Sequence, residues 1–221
     1  MNRLCAVVRC DTLTRRGSKG HGWLGKYYKR ESEKLVLEEK RQNTPILPPT
    51  DHKRKKAFFE FQSGEEKLGT VIIELADDLL PKTSENFLKL CTGDTYREGL
   101  SYNQVPVHRI MKNQFVQMGD VDKKNGSGNH SAFESRYFED EGFFIGHIKP
   151  GVVSMANAGS HKNASQFFIT LKALPHLDGR NIAFGQVTSG LDVIENISKQ
   201  FILKGVPVNP IIISACGVVE N

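Results

Sequence analysis

The spacing of short apolar runs limits what this chain can fold into more than any other feature. Residues 57–61, 68–75, 107–110, 116–120, 151–155, 166–171, 183–187 and 211–218 are rich in β-branched and aromatic side chains. Glycine and polar turn residues separate them, which is the pattern of short strands. Only two stretches in this region follow a helical period. Residues 81–90 open on Pro81, place Phe87, Leu90 and Cys91 on one stripe and stop at Gly93; residues 191–199 place Leu191, Ile194 and Ile197 on one face. A fold of alternating strands and helices needs a helix between most strands. The pattern therefore predicts an antiparallel barrel or sandwich. Closing the sheet would remove its exposed edges and leave the two helices to plug its ends.

At 221 residues, the chain suits one globular domain with an appendage, or two small domains. No apolar run approaches the roughly 18 residues that a membrane helix needs. The net charge of +5 hides an asymmetry: residues 1–56 hold 15 Lys/Arg against 6 Asp/Glu, and residues 57–221 hold 15 against 19. A basic arm is joined to a mildly acidic body. Such an arm suits an acidic partner: nucleic acid, anionic lipid, an acidic protein surface or an import receptor. A solvated charged tail is the plainer alternative. The predicted division is an arm over residues 1–54 and a domain over 55–221.

Cys5, Cys10, Cys91 and Cys216 form no C-x-x-C pair, and the seven histidines form no H-E-x-x-H. Neither a metal site nor a disulfide framework is expected, and a reducing compartment fits. No cofactor motif is present. Leu4 to Val8 is too short for the apolar core of a secretory signal. Residues 1–30 are arginine-rich with Asp11 as their single acid, the composition of a mitochondrial transit peptide, although Gly17, Gly20, Gly22 and Gly25 would interrupt a long helix. A short helix is expected over residues 31–42, ended by Asn43-Thr44-Pro45, followed by a proline-containing extended linker. Lys53-Arg54-Lys55-Lys56 reads as a nuclear address, a phosphate contact or a solvated lead-in to a strand. Mitochondrial localisation is the expectation, with cytoplasm or nucleus as alternatives.

Several segments in fixed order resemble the cyclophilins, a family of peptidyl-prolyl cis-trans isomerases: Pro81 to Phe87, His108-Arg109, Gln117 to Asp120, Asn125 to Gly128, Phe138 to Glu141, Ser154 to Gly159, Ser165 to Ile169 and Ala183 to Gly185. The resemblance runs from about Ala57 to Asn221. It implies a closed eight-stranded antiparallel β-barrel capped by two helices, here preceded by an extended, partly helical arm. It also implies that Arg109 is the catalytic arginine and Gln117 the residue orienting it. Phe168 would floor a proline pocket walled by Leu177. Ala156, Asn157 and Gln166 would line the path of the substrate backbone. Phe115, His176 and Asn181 would complete the binding surface. Four positions depart from the family pattern. A Phe-Met pair becomes Gln114-Phe115, a frequent histidine becomes Asn181 and a frequent tryptophan becomes His176, and this last change predicts weak cyclosporin binding.

These residue types suit the chemistry. Resonance gives the peptide bond a rotation barrier of roughly 18–20 kcal/mol. The two X–Pro isomers are close in energy but exchange over tens to hundreds of seconds. Rotation makes and breaks no covalent bond to the enzyme, so no nucleophile, metal or cofactor is needed. An arginine that donates to the twisted amide stabilises it in a partly dry site. Arginine stays charged, and its planar fork can be fixed by a neighbouring amide. Two functions follow: an isomerase assisting the folding of proline-containing polypeptides, or an accessory subunit of a large mitochondrial or ribonucleoprotein assembly, docked through the arm and reduced in activity.

Overall fold

The structure is a computed structural model that describes residues 22–219. The stretch likened to a transit peptide lies mostly outside the described residues, as do Cys5 and Cys10. The chain divides into two compact units, with the boundary between Pro45 and Ile46.

The first unit contains a helix, α1 (Gly22–Asn43). It begins well before the residue-31 start expected from the sequence and runs through Gly25. A glycine inside a helix costs only about 1 kcal/mol relative to alanine, and the good helix formers after it outweigh that cost. Lys34 pairs with Glu31 at 2.9 Å on an exposed face. The backbone N–H and hydroxyl of Thr44 both donate to the Lys40 carbonyl, at 3.0 and 2.7 Å, and Pro45 prevents a further turn.

The second unit starts nearer than residue 55, because Ile46 and Leu47 are buried in its core. Arg54, the second residue of the basic cluster, is also buried. Its Nε and Nη2 each donate to the Asp78 carboxylate at 2.8 Å, a fork that holds the Asp78 carboxyl below its ordinary value. Arg54 is thus a strand lead-in tied to its own domain rather than a phosphate contact.

This unit is mainly β. Its strands are β1 (Lys56–Ser63), β2 (Glu66–Leu75), β3 (Arg109–Met111), β4 (Phe115–Met118), β5 (Val152–Asn157), β6 (Asn163–Thr170), β7 (Ala183–Ser189), β8 (Ile202–Leu203), β9 (Val206–Pro207) and β10 (Ile211–Val219). Eight of them form one antiparallel sheet in the order β10-β1-β2-β7-β5-β6-β4-β3, and β8 with β9 forms a separate hairpin. Register shifts in β1, β2, β5 and β7 bend the sheet. It curls far enough that residues 104–107, leading into β3, reach β10: Gln104 and Val107 donate to Ile213 and Ile211, and Ile213 donates back to Val105. The two-residue strands β8 and β9 were not expected from the sequence, because an apolar period needs more than two residues to show.

Helices α2 (Pro81–Thr92) and α3 (Leu191–Lys199) lie where the sequence placed them. Pro81 supplies the fixed φ of the first turn, and Gly93, in the left-handed region at φ 80°, caps the end by donating to the Lys89 carbonyl. Phe87 on α2 meets Phe167 and Phe184 at 5.0 Å between ring centroids and Tyr102 at 5.3 Å. This aromatic cluster lies directly beneath β6, whose residues are all buried, so it fixes the strand that carries Gln166 and Phe168.

Candidate functional site

Strand pairing sets three of the expected residues in one row. Arg109 on β3 lies opposite Gln117 on β4, and Gln117 lies opposite Phe168 on β6. Strand alternation then puts Phe115 on the same face as Gln117. Arg109, Phe115 and Phe168 meet. The Phe115 ring lies 5.0 Å from the Phe168 ring, and the Arg109 guanidinium sits 5.7 Å over Phe115. Arg109 is exposed while Phe168 is almost wholly buried, so the row grades from a wet charged end to a dry apolar floor.

Gln117 is engaged by a neighbour on β6. Its Nε2 donates to Gln166 Oε1 at 2.8 Å, and no hydrogen bond joins Gln117 to Arg109. Gln166 in turn donates to the carbonyls of Gly126 and Gly128, which fixes it against the 120–128 loop. Arg109 is held instead by Phe115 and by Met111, whose sulfur accepts from Nη2 at 3.9 Å.

The remaining expected residues lie farther along the sheet. Ala156 and Asn157 end β5, half-buried, and Asn157 Nδ2 donates to the Arg180 carbonyl at 2.6 Å. Asn181 Nδ2 donates to the Met155 carbonyl at 2.9 Å, which ties the loop after Leu177 to β5. Leu177 is half-buried and His176 exposed on a one-turn 3-10 helix, Pro175–Leu177. No hydrogen bond joins His176 to the arginine row.

Three features of the site carry no local signal in the sequence. Behind Phe168, the buried His147 stacks on its ring at 6.1 Å. His147 Nδ1 bonds Asp178 Oδ1 at 2.8 Å and Nε2 bonds Ser154 Oγ at 2.9 Å. Burial lowers the His147 pKa and outweighs the opposing pull of Asp178, which favours the neutral ring; in a neutral ring the acceptor-only carboxylate calls for the proton on Nδ1. His108, beside Arg109, is also buried, and burial lowers its pKa; a Cβ added at Gly126 would meet its ring at 2.7 Å. Finally, the Asp120 carboxylate accepts from five backbone N–H groups, those of Asp122, Lys123, Asn125, Gly126 and Gly128. Burial pushes its pKa up, but those bonds prevail and hold it below the usual carboxylate value. The loop so organised presents Asn125, Gly126 and Ser127 to an open groove that His108, Arg109 and Gln117 also line.

Among the described residues no group of three or more His, Cys, Asp or Glu side chains is placed to hold a metal, and no helix is long and apolar enough to cross a membrane. The family model for cyclophilin type peptidyl-prolyl cis-trans isomerase/CLD matches residues 58–218.

Proposed function

The chain belongs to the cyclophilin-type peptidyl-prolyl cis-trans isomerases, and from that premise we propose that Arg109 rotates X–Pro bonds by stabilising the twisted amide. The observation that carries this reading is the Arg109–Gln117–Phe168 row, which sets a permanent cation beside an apolar floor. A proline ring seated on Phe168 would bring its amide nitrogen toward the guanidinium. As the bond twists, nitrogen regains a lone pair, and a donated arginine N–H stabilises that state more than the planar one. Phe115 fills the wall lost through the Gln114-Phe115 departure. Gln117 and Gln166 position the rim, and Ala156, Asn157, Leu177, His176 and Asn181 bound the path of the polypeptide. No metal or cofactor enters this mechanism. The hydrogen bonds between residues 104–107 and β10 support reading the sheet as a closed barrel. The client is a proline-containing polypeptide whose folding is assisted, and weak cyclosporin binding follows from His176.

Isomerisation of a short X–Pro peptide by the full chain and by Arg109→Ala tests the proposal. The wild type should accelerate exchange, and the variant should lose about a hundredfold or more of kcat/KM, the typical cost of removing a preorganised donor. Equal background rates for both proteins would sink it.

The excess of cations over residues 1–56 favours a second reading, in which residues 1–54 serve as a targeting or docking arm and the chain is an accessory subunit. Its composition points to mitochondria. Removing residues 1–45, which leaves Ile46, Leu47 and Arg54 in the second unit, should then displace the protein from its compartment and partners without abolishing isomerisation. Unchanged localisation and co-purification would reject the docking role.

A further inference from the structure

The β8–β9 hairpin has two faces of opposite character. Leu203 pairs with Val206 and Ile202 with Pro207, and Val208 donates to the Phe201 carbonyl at 3.0 Å. Cross-strand alternation therefore gathers Phe201, Leu203, Val206 and Val208 on one side. They are 76%, 66%, 49% and 51% exposed, while Pro207 on the other side is buried. A contiguous apolar face of this kind marks an interaction surface.

Its position says what it meets. The Ile110 N–H, next to Arg109, donates to the Gly205 carbonyl at 2.6 Å and anchors the hairpin tip to the arginine strand. Lys204 and Gly205 form that tip and also line the groove beside Arg109. A polypeptide leaving the groove past Arg109 thus runs onto the hairpin. Lys204 and Arg109 supply the charge there, and among the described residues no carboxylate lines the groove. The backbone of Lys204 is left-handed at φ 50°, where asparagine or glycine is more at ease, so turn preference does not account for a lysine.

We propose that the Ile202–Pro207 hairpin extends the substrate groove, its apolar face taking hydrophobic side chains of the client polypeptide and Lys204 taking an acidic side chain that flanks the proline. The proposal rests on the isomerase reading for the identity of the groove.

The full-length protein is titrated with a short X–Pro core peptide and with two longer peptides. One carries leucines and a glutamate before the proline and the other carries them after it, and both affinity and isomerisation are measured. The longer peptide that reaches the hairpin should bind about tenfold more tightly than the core. This advantage should shrink toward unity in Leu203→Ser/Val206→Thr. Replacing the peptide's glutamate by lysine should weaken binding about two- to fivefold in low salt, and Lys204→Glu should reverse that preference. Each substituted position is exposed, and matching melting curves confirm that the variants fold.

Equal affinities for core and long peptides, or an advantage that survives both variants, would overturn the proposal. Self-association lost in Leu203→Ser/Val206→Thr would assign the face to a second copy and overturn it as well. The affinity pattern without turnover of any peptide would support the extended groove and reject the isomerase reading alone.

Discussion

Phe115 and Phe168 pack on neighbouring strands with ring centroids 5.0 Å apart and planes inclined by 43°. The same Phe115 ring lies under the Arg109 guanidinium. One side chain therefore walls the apolar floor and steadies the cation. Phe115→Ala removes both contributions, an aromatic pair and a cation–π contact each worth about 1 kcal/mol. We expect kcat/KM for an X–Pro peptide to fall about tenfold, with Phe115→Met recovering most of it because methionine refills the space flexibly. An alanine variant as active as wild type would remove Phe115 from the site.

His147 makes stability depend on pH. Its folded pKa, like that of His108, is lowered mainly by burial, so the unfolded chain binds more protons than the folded one as pH falls below the ordinary histidine value of 6.5. Stability then rises with pH through this window and is fully present above it. Thermal melting should move to lower temperature on acidification from pH 7.5, and His147→Gln should weaken that dependence, leaving the share due to His108. A wild-type melting temperature that stays constant or rises on acidification contradicts the assignment.

Both thiols of the second unit should resist alkylation. Burial pushes Cys216 up to about 11 and Cys91 well above its ordinary value. Cys216 Sγ also donates to the Cys91 carbonyl at 3.4 Å. The thiolate is the nucleophile, so at pH 8 iodoacetamide should leave both unmodified in the native protein and label both in urea. Peptide mapping by mass spectrometry distinguishes them from Cys5 and Cys10. Rapid native labelling of Cys216 would show that its burial is not maintained.

The longer strands and the two helices of the second unit were legible because each is long enough to display its period. The β8–β9 hairpin was not, since two residues per strand carry no alternation and its turn places lysine where asparagine is usual. The arginine row was legible through strand alternation combined with the family likeness. The partner of Gln117 was not: β6 brings Gln166 within 2.8 Å of the same amide, a competition that only the register between strands decides. His147 meets Asp178 from 31 positions away, and neither residue has a neighbour that hints at the other. Likewise, Gly22 and Gly25 argued for a break where α1 continues, because residues from both sides of a weak position determine whether a helix propagates.

Asp120 offers the sharpest link between scaffold and site. Its two oxygens share five backbone N–H donors, all from residues 122–128, and the side chain is fully buried. Asp120→Asn preserves the size but replaces one acceptor oxygen by a donor that would face Lys123 N–H or Gly126 N–H. The loss of charged hydrogen bonds and the unpaired donors together should cost about 3 kcal/mol of unfolding free energy. The damage should also reach the groove, because Gly126 and Gly128 hold Gln166 and Gln166 holds Gln117. We therefore expect kcat/KM to fall in Asp120→Asn at temperatures where the variant is still folded. In Gln166→Ala, which spares Asp120, a similar fall should come with a smaller loss of stability. Because the folded pKa of Asp120 is lowered, its contribution is present above the ordinary carboxylate value of 3.8 and is lost as pH falls through the folded pKa. The difference in stability between wild type and Asp120→Asn should narrow on strong acidification. A difference that is constant from pH 7 into the acid range would show that the carboxylate charge does not organise the loop.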